Sequence, residues 1–98
     1  MKLTGKQRAA LRSMANTLET ILYIGKEGIT EYTVKEAYDA LEARELIKCA
    51  VQSNASLSAR EACQVLCEQV HAEAVQCIGR RFVLYRESRA NKRISLER

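Results

Sequence analysis

With 98 residues, 29% of them charged and 47% hydrophobic, the chain is expected to form one domain with one modest core and no second unit. Its longest apolar stretches, at 21–24 and 82–85, fall far short of the ~20 residues that cross a bilayer. Met1-Lys2-Leu3-Thr4-Gly5-Lys6 contains no signal-peptide apolar region, so a soluble cytoplasmic protein is expected, without a membrane partner. The net charge of +4 is segregated: residues 1–12 carry +4 and 80–98 carry +5, leaving −5 between, which suggests that the ends build a footprint for a polyanion.

A first helix is signalled by Thr4 with Gln7 three residues on, a capping box, with Leu3 as its hydrophobic staple. At 100° per residue Leu3, Ala10, Leu11, Met14 and Leu18 share a stripe. Arg8 and Arg12 point to the opposite side, so the helix buries one face and offers a basic one. Ile21-Leu22-Tyr23-Ile24 reads as a short strand that runs into Gly25-Lys26-Glu27-Gly28. Two glycines three apart let the backbone turn tightly and leave no Cβ between it and a ligand. Thr30 caps a second helix with the stripe Val34, Ala37, Tyr38 and Leu41, ending near Arg44. This corner offers the amides of a helix start, the positive end of its dipole and the flexible charge of Lys26, all suited to phosphate. Glu27 and Glu31 act against it, because a carboxylate there repels the same phosphate. The simpler account of the glycines is that they only let a strand turn into a helix.

A second strand covers 46–51 and a polar loop 52–56. Ser58 with Glu61 starts a third helix, whose stripe is Ala59, Ala62, Cys63, Leu66 and Val70 with Cys67 on the flank. Two further strands, 74–78 and 82–86, flank Gly79-Arg80-Arg81, a short hairpin turn that projects two adjacent arginines. The order α-β-α-β-α-β-β implies an α/β domain: strand–helix–strand units give parallel pairing, the hairpin adds an antiparallel strand, and a mixed four-stranded sheet is backed by helices. From about residue 87 the chain is polar and basic, and is expected to be loosely ordered unless Ile94 and Leu96 dock.

Catalysis finds no support. The single histidine, His71, lies at a helix end off the apolar stripe, and Glu31, Glu36, Asp39 and Glu42 read as solvated faces. No Gly-Lys-Ser/Thr follows the glycines, so neither nucleotide hydrolysis nor another small-molecule substrate is expected. Cys63, Cys67 and His71 spread over more than two helical turns, too far to close around one ion. The four cysteines, at 49, 63, 67 and 77, therefore read as buried free thiols, with no metal or other cofactor. Tyr32 falls opposite its helix's stripe beside the Gly loop, where it could stack on a base, although an exposed tyrosine usually does nothing.

Leu3-Thr4-Gly5-Lys6-Gln7-Arg8-Ala9-Ala10-Leu11-Arg12, Ile24-Gly25-Lys26-Glu27-Gly28-Ile29-Thr30, Glu45-Leu46-Ile47-Lys48, and Ile78-Gly79-Arg80 with Val83-Leu84-Tyr85-Arg86 resemble the CRM domain. This is the chloroplast RNA splicing and ribosome maturation module, here in its bacterial single-domain, YhbY-type form. The four blocks run in order over nearly the whole chain, which is far more specific than any one motif. The resemblance implies a fold similar to the C-terminal domain of translation initiation factor three, with a helix added in front. It also implies RNA binding through a Gly-x-x-Gly loop like that of KH domains, which places Gly25, Lys26, Glu27 and Gly28 against the RNA backbone, and association with precursors of the large ribosomal subunit. Where many members have a proline before the first strand this chain has Glu19-Thr20, and four cysteines are unusual; neither departure touches the loop. The expectation is one domain over 1–98, a non-catalytic RNA-binding protein of large-subunit assembly, with Arg8, Arg12, Arg80 and Arg81 extending the surface toward ribosomal RNA. The alternative is a protein-interaction module that docks on ribosomal proteins and uses its basic ends only for steering.

Overall fold

The computed structural model describes residues 2–96. Its elements are α1 (Gly5–Ala15), β1 (Thr20–Ile24), α2 (Glu31–Arg44), β2 (Leu46–Val51), α3 (Ala59–Val70), β3 (Glu73–Ile78) and β4 (Arg81–Tyr85). This is the element order read from the sequence, and β2 keeps its expected limits. Each helix opens on a capping box: Thr4 with Gln7, Thr30 with Thr33 and Ser58 with Glu61. In each, the cap oxygen accepts the amide three residues on, and that residue's side chain accepts the cap amide.

The four strands form one mixed sheet in the order β1-β2-β4-β3, with β1 and β2 parallel and the other two pairs antiparallel. An alternating strand–helix–strand pattern leads one to seat β3 beside β2, but β4 takes that place. Burial explains the exchange. Phe82, Val83, Leu84 and Tyr85 are all buried, as a strand covered on both faces must be, whereas Ala74, Cys77 and Ile78 of β3 are exposed, as an edge strand tolerates. Cys77 therefore departs from the expectation of four buried thiols. Cys49 and Cys63 are buried and Cys67 is half-buried. Burial pushes the Cys49 thiol up, and the hydrogen bond between Cys63 and Cys67 pushes the Cys67 thiol up and the Cys63 thiol down.

Helices cover both faces. On one, α2 and α3 close a core that includes Leu22, Ile24, Leu41, Ile47, Leu66, Phe82 and Leu84. On the other, α1 lays Leu3, Leu11 and Ala15 against Leu46, Val75, Val83 and Tyr85. The buried stripe of α1 runs through Gln7, Leu11 and Ala15, leaving Ala10 and Met14 exposed, so it is rotated from the hydrophobic pattern. Gln7 can take a buried place because its amide oxygen is already committed to the Thr4 amide. In α2, likewise, Thr33 is buried through its cap bonds and Tyr38 is turned outward.

Residues 86–96 contain neither helix nor strand, yet they are fastened. Glu45 ends α2 at φ 66° with no exposed surface, and its carboxylate accepts the amides of Ser88 (2.7 Å), Arg93 (2.6 Å) and Ile94 (2.7 Å). Ile94 and Leu96 then pack against the α1 core. A loose tail is expected unless those two side chains dock, and they do dock.

Candidate nucleic-acid interface

Because β1 and β2 run the same way and β4 runs against them, the loops that leave β1 and β2 and the turn that enters β4 emerge at one end of the sheet. Two backbone bonds stitch them together: the Gln52 amide to the Ile24 carbonyl and the Val51 amide to the Arg80 carbonyl, both 2.8 Å. Residues far apart in sequence, Lys26 and Arg80 among them, thus share one rim.

Within the first loop the Gly28 amide donates to the Gly25 carbonyl at 3.0 Å, which puts Lys26 and Glu27 at an exposed tip. The two glycines have different reasons to be there. Gly28 sits at φ 70°, where a Cβ would be strained although its nearest neighbour, Leu57, leaves ordinary room. A Cβ on Gly25 would come within 2.5 Å of Gln52 Oε1, the far end of a flexible side chain that can swing away. Gly28→Ala should therefore cost about 1 kcal/mol of stability, and Gly25→Ala clearly less. Urea denaturation of the two variants checks this ordering, and equal costs would contradict it.

Beyond the loop Thr30 accepts the Thr33 amide, while the amides of Glu31 and Tyr32 have no acceptor within the helix. Tyr32 is exposed here. A cleft of about 320 Å³, lined by Ile29, Thr30, Glu31, Val34, Val65 and Gln69, opens between α2 and α3 beside this helix start. Arg80 and Arg81 stand exposed across the rim, and Arg81 Nε makes one long contact, 3.4 Å, to Thr20 Oγ1. Arg8 is elsewhere. Its Nε donates to the Ala74 carbonyl at 3.1 Å, on the unpaired edge of β3 and near the opposite end of the sheet. Since the buried stripe of α1 passes through Gln7 and Leu11, Arg8 and Arg12 flank it and are half-buried, and do not face outward as their spacing suggested.

The family model described as the CRS1/YhbY (CRM) domain matches residues 3–86. The chain belongs to the CRM family. The relative named "Probable RNA-binding protein YqeI" from Bacillus subtilis is 43% identical over 94 residues, 96% of this chain and 98% of its own. A Haemophilus influenzae protein named "RNA-binding protein" is 32% identical over 90 residues, 92% of this chain and 91% of its own. The solution structure of a Staphylococcus aureus protein, proposed to bind RNA, shares 46% identity and a TM-score of 0.81, covering 98% of this chain and all of that one.

The CRM match takes in the whole rim and stops at Arg86, before the fastened tail. Arg86 itself is an internal clasp. Its guanidinium donates to the Val70 carbonyl (2.9 Å), pairs with Glu42 (2.5 Å) and lies 4.4 Å from the centre of the Tyr38 ring. Lys92 pairs with Glu87 at 2.8 Å. The charge near residue 86 is thus partly consumed by the fold. Neither clasp nor latch is visible in the sequence, because Glu42 and Glu45 look like ordinary acids at the end of a helix. Among the described residues no three His, Cys, Asp or Glu side chains are grouped as metal ligands, and no helix is long and apolar enough to cross a membrane.

Proposed function

We propose that this CRM protein is a non-catalytic, cytoplasmic RNA-binding protein that acts in assembly of the large ribosomal subunit, with ribosomal RNA or precursor particles as its partner. The observation that carries the reading is the rim, where a two-glycine turn, a helix start and the cations Lys26 and Arg80 converge on one end of the sheet, with Arg81 next to Arg80 and reaching over the sheet toward Thr20. Backbone amides there suit phosphate oxygens, and the cations add charge without being needed by the core. Glu27 and Glu31 temper the contact. Arg12 extends the surface along α1, whereas Arg8, tied to β3, contributes mainly a longer-range field. The names of the relatives support an RNA partner, and the resemblance to YhbY-type proteins supports the large subunit.

Binding to large-subunit ribosomal RNA is expected to weaken linearly on a log–log plot against salt. Lys26→Ala and Arg80→Ala should each reduce the slope by about one, and Arg8→Ala by less. Slopes unchanged in both rim variants would remove the rim from the mechanism. Ribonuclease treatment of precursor particles should release the protein; continued attachment to a purified ribosomal protein would favour the docking module instead.

A further inference from the structure

We infer that the sheet face beside the rim is a second contact, a platform on which unpaired bases of a single-stranded RNA segment stack. The inference rests on the RNA-binding reading above and adds a ligand class that the rim alone does not specify. α1 and the residues Ile94 and Leu96 cover only part of their face of the sheet, over Leu46, Val75, Val83 and Tyr85. Two residues along β4 from Val83, on the same face, lies Arg81. The strand registers place Tyr23 beside Ala50, Ala50 beside Arg81 and Arg81 beside Ile78, a row that crosses all four strands. The row is uncovered at its ends: Tyr23 is 58% exposed and Ile78 is 66% exposed.

The composition of this face fits a nucleic-acid strand. Ala50, the smallest member, sits between Tyr23 and Arg81 and is buried, so the Arg81 side chain can cross over it to Thr20 on the strand that also carries the Tyr23 ring. The neighbouring row, Thr20, Lys48, Val83 and Gln76, adds a second cation. The two rows together contain two cations and no carboxylate. Arg81 is an exposed residue, and its one long contact, from Nε to Thr20, holds its side chain over the face. An apolar protein surface would want a continuous greasy patch, whereas here the exposed apolar side chains stand apart on the two edge strands with the charge between them. A ring beside a cation suits a base with its phosphate. The platform is also continuous with the rim, since Tyr23 lies two residues before Gly25 and Arg81 adjoins Arg80. A strand whose backbone is held at the rim can lay its next bases on the face, which a closed duplex cannot do.

The test uses the full chain with two probes, a short unstructured RNA oligonucleotide and a fully paired RNA duplex. Tyr23→Ala and Arg81→Ala should each weaken binding of the single strand about tenfold, with Tyr23→Phe close to wild type. Tyr23→Ala should leave duplex binding within about twofold of wild type. The chain has no tryptophan, so Tyr23→Trp supplies a lone reporter, and its emission should be quenched by the single strand and not by the duplex. Single-strand affinity unaltered in Tyr23→Ala, or an unquenched tryptophan, overturns the platform. If Lys26→Ala and Arg80→Ala weaken binding while Tyr23→Ala does not, the platform fails and the rim stands. Binding of neither RNA overturns both readings, and loss in Tyr23→Ala of binding to a purified ribosomal protein alone assigns the face to a protein.

Discussion

Glu45→Ala is expected to lower stability by about 4 kcal/mol, enough to bring a domain of this size close to unfolding. Three backbone amides converge on one carboxylate at 2.6–2.7 Å, in a position with no exposed surface. Bonds to a charged group contribute roughly 1.5–3 kcal/mol each, and alanine would strand all three donors. Water entering as the tail detaches recovers part of that sum, so the net falls below it. Glu45→Gly separates two contributions. It also loses the latch but relieves the positive φ, and should be about 1 kcal/mol less harmful than alanine. Urea denaturation gives the totals, and amide exchange at Ser88, Arg93 and Ile94 should accelerate in both variants.

The same residue predicts a pH dependence. Burial pushes the Glu45 carboxyl up, but the amides of Ser88, Arg93 and Ile94, with Lys92 nearby, outweigh it and hold the group below its ordinary value of 4.5. A carboxyl depressed by folding contributes stability that is full above the unfolded value and is lost as pH falls through the folded one. Wild-type stability should therefore decline below about pH 4.5, and Glu45→Gln should flatten that decline. An acid limb as steep in Glu45→Gln as in wild type would show that other carboxyls carry it.

The largest expected effect on binding is that of Gly25→Asp combined with Gly28→Asp: a loss of about 100-fold in affinity for ribosomal RNA at low salt. Each aspartate would place a full negative charge where, in the proposed function, the loop backbone approaches phosphate. At ~4 Å such a pair repels by ~1 kcal/mol in bulk water and ~4 kcal/mol near a protein surface. Two of them exceed what one lost lysine contact can do, even with partial screening. The fold should survive, because aspartate tolerates the left-handed region better than most residues and Gln52 can yield to a side chain at position 25. Circular dichroism checks the fold and a filter-binding titration checks the affinity. Affinity equal to wild type would exclude the loop.

Local signals were legible and relational ones were not. Thr4 and Ser58 announced two helix starts through acceptors three residues away, and Leu46 to Val51 read as a strand because it is short, apolar and bounded by polar turns. The Gly25 and Gly28 corner was visible because turn chemistry is local. The sheet order was not, since it depends on Phe82 to Tyr85 being buried from both sides, which an apolar run of that length does not by itself declare. Arg8 was misplaced because the stripe of α1 was phased on Ala10 and Met14, when a capping bond lets the polar Gln7 take the buried position. Glu45 was unreadable for a stronger reason. Its partners lie 43 to 49 residues further along, and their backbone amides carry no side-chain signature.

The position of β4 bears on how the chain becomes a protein at all. It follows the other three strands in the chain, yet it lies between β2 and β3 and, among the described residues, is the one neighbour β3 has in the sheet. A nascent chain that has emerged only as far as Ile78 holds one parallel strand pair and a third strand with nothing to bond. No N-terminal portion is then a closed unit. Assembly of this sheet must wait for β4 to enter its middle, a step dominated by contacts distant in sequence and therefore slow for a domain of this size. Until that insertion the flank of β2 stays open, and this interval is when the polypeptide is most exposed to mispairing with its neighbours.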